Sequence, residues 1–168
     1  LAGIISILPG ADDLMRRVNV QGAQNVAEAA LCAGVRRLVH VSSVHAFERL
    51  PHGTCIDEST PLVGERAAGG YDRTKAEGTR AVLHAVEAGL DAVVVCPTGV
   101  LGPYDYGRSE VGQTLLGFAR QKLQLLVDGA YDFVDVRDVA RGHIQALRRG
   151  RAGEVYILSG ERIEVPEI

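Results

Sequence analysis

The chain has 168 residues, of which 46% are hydrophobic, 23% charged and 5% aromatic. That is the balance of one globular domain and excludes a disordered segment. A formal net charge of −3 leaves no basic footprint for nucleic acid, and the longest apolar runs, Leu1–Pro9 and Ala92–Pro97, fall well short of the roughly 18 residues a membrane helix needs.

Leu1–Ile7 reads as the end of a strand running into a loop. Asp12–Cys32 reads as a helix, with Asp12 and Asp13 suited to its positive N-terminal end. Arg37–Ser42 is a strand, and His45–Ala68 a long polar loop carrying Pro51, Gly53, Pro61 and Gly64. Tyr71–Ala88 is a second long helix, and Val93–Cys96 the next strand, ended by Pro97. Helix Ser109–Gln121 and the short strands Gln124–Val127 and Phe133–Val136 follow. Helix Arg137–Arg149 is stopped by Gly150, and Val155–Leu158 is the last strand. A helix, a glycine and a valine-rich run occur twice, with Gly34 and Gly89 standing 55 residues apart. Each glycine fits the left-handed position after a helix. The runs behind them lack alternation, as strands buried on both faces do. The expected fold is therefore α/β, a doubly wound and mostly parallel sheet.

Two features bear on chemistry. Arginine outnumbers lysine sixteen to two, so the place of each lysine carries weight. One of them, Lys75, lies four residues after Tyr71, one turn along the same helix face. An ammonium there is expected to favour the ionised phenol and lower its pKa, which suits a general acid or base. The alternative is a solvated helix start. Ser42 and Ser43 end a buried strand, where open α/β sheets bind their ligands. Pro97-Thr98-Gly99-Val100 follows the next strand at the same edge, its glycine allowing close approach of backbone to a ligand. The alternatives are a loop-starting serine and an ordinary turn. Cys32, Cys55 and Cys96 form no Cys-x-x-Cys pair and read as free thiols of the cytoplasm. No metal site is read.

Leu1-Ala2-Gly3, Asn19–Gly22, Leu38–Ser43, Tyr71–Lys75, Pro97–Pro103 and Phe133–Ala140, in this order, resemble an extended short-chain dehydrogenase/reductase of the NAD-dependent epimerase/dehydratase type. Tyr71–Ala76 and Gly129–Gly142 look most like dihydroflavonol-reductase-like members. The resemblance covers almost the whole chain and implies a Rossmann-like fold. It implies NAD or NADP as cofactor, a small-molecule substrate, and hydride transfer between nicotinamide and a hydroxyl or carbonyl carbon. Tyr71 would move the proton, Ser43 orient the oxygen, Lys75 hold the ribose hydroxyls, and Asn19 support a proton relay. Ala2, Gly3, Pro97 and Val100 would line the nicotinamide end, with Ser42 and Thr98 beside them. A homodimer through helices 12–32 and 71–88 is also implied. Val26, Ala27, Ala30 and Leu31 would then face the sheet, and Ala23, Ala81, Val82 and Ala85 a partner.

Three departures shape the expectation. Phe47-Glu48 stands where relatives carry a Tyr-Gly pair, which counts against a sugar epimerase. Val44-His45 replaces the acidic pair of the dehydratases; His45 could touch substrate, but a loop histidine is more often a solvated residue. The Gly-rich phosphate turn would lie before Leu1, and the chain starts without methionine. It is thus expected to be the catalytic portion, residues 1–168, of one domain incomplete at both ends, with a small substrate-binding part starting at about residue 100. An epimerase of the same family and a non-catalytic NAD(P)-binding sensor are the alternatives.

Overall fold

The computed structural model describes residues 3–5, 12–51, 53–64, 70–107, 109–120 and 129–164. The first helical run comprises α1 (Asp12–Met15), a π-helical stretch (Arg16–Gln21) and α2 (Gly22–Cys32). Strand β1 (Leu38–Val41) follows, then α3 (Gly70–Glu87) and β2 (Ala92–Pro97). Next come β3 (Gly99–Leu101), α4 (Glu110–Ala119), β4 (Ala130–Asp135) and α5 (Val136–Arg149). Strands β5 (Val155–Leu158) and β6 (Glu161–Glu164) end the described chain.

The main sheet runs β1-β2-β5 and is parallel throughout. Leu38 to Val41 pair with Ala92 to Val95, and Val94 to Pro97 pair with Val155 to Leu158. Every residue of the central strand β2 is buried, which explains its unalternating valines. On one face α2 and α3 pack Ala27, Ala30, Val82 and Ala85 against Ala92, Val94 and Cys96. On the other, α5 sets Ala146 against Val93 and Val95. Helices therefore cover both faces, and the fold is doubly wound.

Gly34 and Gly89 take φ of 62° and 106°, the left-handed positions that let each helix turn into its strand. At the sheet's N-terminal edge Arg37 makes a two-pronged bond to Asp91, at 2.9 and 3.0 Å. Its third nitrogen caps carbonyls at the end of α5, Leu147 O at 3.2 Å and Gly150 O at 2.8 Å. One guanidinium thus ties together the entries of β1 and β2 and the exit of α5.

A second sheet, β3-β4-β6, lies beyond β2, with β3 parallel and β6 antiparallel to β4. Gly99–Leu101 is therefore a strand where a turn was expected, and Glu161–Glu164 a further strand after Val155–Leu158, which was expected to be the last. The expected strand Gln124–Val127 lies outside the described residues, as do all of Leu1–Ile7 but residues 3–5, which are not a strand, contrary to expectation. The helix faces also need correction. Val82 and Ala85 are buried in the core rather than free for a partner, whereas Val26, expected to face the sheet, is 55% exposed. The cause is that α3 packs on both α2 and the sheet, which turns Val82 inward. Among the described residues no helix is long and apolar enough to cross a membrane.

Candidate active site

Parallel pairing brings the ends of β1 and β2 to one edge of the sheet, and the first turn of α3 adjoins it. Ser42 and Ser43 leave β1 there with their side chains on different partners. Ser42 Oγ lies 2.7 Å from Thr79 Oγ1, inside the sheet–α3 interface, so its hydroxyl is engaged away from the edge. Ser43 Oγ accepts from the His45 N–H at 3.2 Å, which caps the 3-10 turn Val44–Ala46. A hydroxyl that accepts in this way keeps its proton to donate, and Ser43 is near enough to the Tyr71 phenol to favour its ionised form.

Lys75 stands one helical turn from Tyr71. Its Nζ donates to the Val41 carbonyl at 3.1 Å, at the end of β1. Burial lowers the Lys75 pKa, with Cys96 acting in the opposite sense. Burial also pushes the Cys96 thiol up to about 11, against hydrogen bonds from Ser42 and Ser43 and the charge of Lys75. For Tyr71 the expected lowering by Lys75 is reversed. Burial raises the phenol, the Ser43 hydrogen bond opposes it, and Tyr131 and Asp72 raise it further. In this protein desolvation sets the direction of the shift, and the ammonium one turn away is not among its causes.

The remaining expected residues divide. Ala2 lies outside the described residues. Gly3 sits beside Asn19, where an added Cβ would lie 3.8 Å from Asn19 Oδ1. The Asn19 carboxamide is fully engaged, holding both backbone groups of Ile4 and reaching Thr74 Oγ1 at 3.2 Å. Pro97 ends β2, and the Thr98 N–H and hydroxyl both turn to Leu158 O, at 3.1 and 3.4 Å. Val100 lies on β3, paired with Val134 in the second sheet.

A polar group built on His45, whose partners the sequence did not reveal, lines the same site. His45 Nε2 lies 2.7 Å from the Tyr131 hydroxyl, and His45 Nδ1 3.3 Å from Asp72 Oδ1. Asp72 is buried, and its other oxygen accepts from Arg49 Nη2 at 2.9 Å. The His45 ring meets Tyr71 edge-on, with centroids 5.8 Å apart. The position of His45 two residues after Ser43 was the one available signal; its partner Tyr131 comes 86 residues later.

Residues 10–159 match the NAD dependent epimerase/dehydratase family. The chain belongs to that family. It is 36% identical over 167 residues to sterol demethylase protein B of Methylococcus capsulatus, a match covering 99% of this chain and 51% of that protein. It is 34% identical over 160 residues to a putative dihydroflavonol 4-reductase of Synechocystis sp., covering 93% of this chain and 47% of that protein. The crystal structure of gox2253 superposes with a TM-score of 0.90 at 35% identity, over 98% of this chain and 50% of that one. DesIV, a dTDP-glucose 4,6-dehydratase from Streptomyces venezuelae solved with NAD bound, gives 0.85 at 26% identity, over 99% of this chain and 53% of that one. The chain spans about half the length of the curated relatives it matches. The fold is accordingly the Rossmann-like one that the sequence pattern implied.

Proposed function

We propose that the protein carrying this chain is an NAD(P)-dependent oxidoreductase that moves a hydride between a nicotinamide and a hydroxyl or carbonyl carbon. The observation that carries this reading is the convergence of Ser43, Tyr71 and Lys75 at the strand ends: Ser43 leaves β1 beside the Tyr71 phenol, and Lys75, one turn along α3, holds the last carbonyl of β1. The donor set fits a dinucleotide. An ammonium has three protons to give, and Lys75 donates one to the Val41 carbonyl, leaving donors for the hydroxyls of a ribose. Gly3 and the Pro97–Val100 segment would flank the nicotinamide, with Ser42 and Thr98 as supporting backbone. The cofactor supplies the hydride chemistry.

The protein's own groups handle the oxygen. Ser43 donates to the substrate oxygen and fixes its orientation. Tyr71 gives its proton to that oxygen on reduction, or takes it on oxidation. A raised phenol pKa keeps Tyr71 protonated, the state needed for reduction. Asn19 acts by holding residues 3–5 against Thr74 of the catalytic helix. The second sheet begins a substrate-facing part from about residue 100. Names of relatives support reduction: a dihydroflavonol 4-reductase, a ketoreductase and a 2-alkyl-3-oxoalkanoate reductase are among them.

Two further assignments complete the reading. Leu14 and Val26 expose apolar surface on the first helical run, which supports a homodimer through helices 12–32 and 71–88. The three thiols are free, which supports a cytoplasmic location. The test is oxidation or reduction of NADH and NADPH by the full-length protein against a panel of hydroxy and keto compounds. Tyr71→Phe is expected to abolish turnover with cofactor binding retained. Turnover undiminished in Tyr71→Phe would overturn the assignment.

A further inference from the structure

A histidine placed between a carboxylate and a phenol has its tautomer set by those neighbours. His45 Nδ1 faces Asp72 Oδ1 at 3.3 Å, and the carboxylate favours the proton on that nitrogen. Nε2 then carries the lone pair and accepts from the Tyr131 hydroxyl at 2.7 Å. Asp72 is buried and paired with Arg49, so the imidazole is held from behind. Its front is open: the His45 side chain is 37% exposed and Tyr131 39%. Ring centroids stand 5.8 Å apart for His45 and Tyr71, and 6.3 Å for His45 and Tyr131. Three rings with polar tips thus line one wall, brought together from α3, the turn after β1, and β4 of the second sheet. A phenylalanine at position 45 would pack edge-on against Tyr71 equally well. The imidazole adds an acceptor aimed by Asp72.

We propose that the His45–Tyr131 pair is a second oxygen site, which takes a substrate hydroxyl on a carbon next to the reacting one or one further along. The incoming hydroxyl donates to His45 Nε2 and accepts from the Tyr131 O–H, so both groups keep a partner when their mutual hydrogen bond opens. Substrates are then hydroxy-ketones and the corresponding diols, preferred over compounds with a single oxygen. This rests on the oxidoreductase reading for which oxygen reacts; the binding itself needs no turnover.

The probes are 2-hydroxycyclohexanone and cyclohexanone, which differ by one hydroxyl, applied to the full-length protein. The first readout is the 15N spectrum of histidine-labelled protein, with His45 identified by its loss in His45→Gln. The Nε2 resonance is expected to move with the hydroxy-ketone and stay in place with cyclohexanone. The second readout is the ratio of kcat/KM for the two probes with NADH or NADPH. A ratio of roughly tenfold, the size of one hydrogen bond, is expected to fall toward one in His45→Ala and in Tyr131→Phe. Where His45→Ala does not fold by circular dichroism, Tyr131→Phe alone decides. An Nε2 resonance that ignores both probes or answers them equally overturns the proposal, as does a ratio that survives the substitutions. Turnover undiminished in Tyr71→Phe, or no turnover of either probe, counts against the oxidoreductase reading alone; the 15N response then decides the second oxygen site by itself.

Discussion

Asn19 holds Ile4 by both of its backbone groups. The Ile4 N–H donates to Oδ1 at 2.9 Å, and Nδ2 donates to the Ile4 carbonyl at 2.9 Å. One side chain does what a neighbouring strand would do for that residue. It stands in the π-helical stretch Arg16–Gln21, where the wider turn places a buried carboxamide against residues 3–5 and α3 at once. Asn19→Ala removes all three hydrogen bonds and leaves the Ile4 groups and Thr74 Oγ1 to find other partners. The expected cost is roughly 2 kcal/mol, since a lost buried partner costs about 1–3 kcal/mol. Urea unfolding measures it, together with faster hydrogen exchange at the Ile4 amide. An exchange rate unchanged from wild type would show that residues 3–5 are held by something else.

Gly78 is the point of closest approach between α3 and the π-helical stretch. A Cβ on Gly78 would run into the Asn19 backbone carbonyl, which has no rotamer to yield. In an open helix Gly→Ala stabilises by about 1 kcal/mol. Here overpacking reverses the sign, and Gly78→Ala is expected to destabilise by about 1–3 kcal/mol. Because the displaced backbone is that of Asn19, the Ile4 amide should also exchange faster in this variant. A gain in thermal midpoint would show that the two helices can separate freely.

Most of the fold was legible because its signals are local. The glycine that ends a helix and the valine run behind it occur within a few residues of each other, and both copies became strands of one parallel sheet. Tyr71 and Lys75 share a helix face by spacing alone. What was not legible depends on neighbours distant in sequence. Strand β3 follows β2 after a single residue and begins with Gly99, so it reads as a turn; it is a strand because β4, some thirty residues on, pairs with it. His45 reads as a solvated loop residue because nothing near it announces Tyr131. The direction of the Tyr71 shift was misjudged for the same reason. Spacing reveals the ammonium, whereas burial by the surrounding elements, which sets the direction, is a property of the folded chain.

His40 provides the pH dependence. It lies on β1, next to Val41, whose carbonyl receives Lys75 Nζ. Burial, and then the charge of Lys75, lower its pKa from 6.5 to about 4. The folded protein therefore holds His40 neutral across a range where the unfolded chain binds a proton. Between pH 6.5 and pH 4 the unfolded state carries more protons, so stability rises with pH there and is lost as pH falls. By pH 5 the expected loss relative to pH 7 is on the order of 1–2 kcal/mol from this group. His40→Leu removes the titration, so its urea-unfolding free energy should fall less than that of wild type between pH 7 and pH 5. The other histidines are common to both proteins and cancel in the comparison. Lys75→Met removes the smaller of the two causes and should move the His40 titration upward in an NMR pH series without restoring the ordinary value. Parallel stability profiles for wild type and His40→Leu would mean that His40 is solvated, and that the end of β1 beside Lys75 is more open to water than its burial implies.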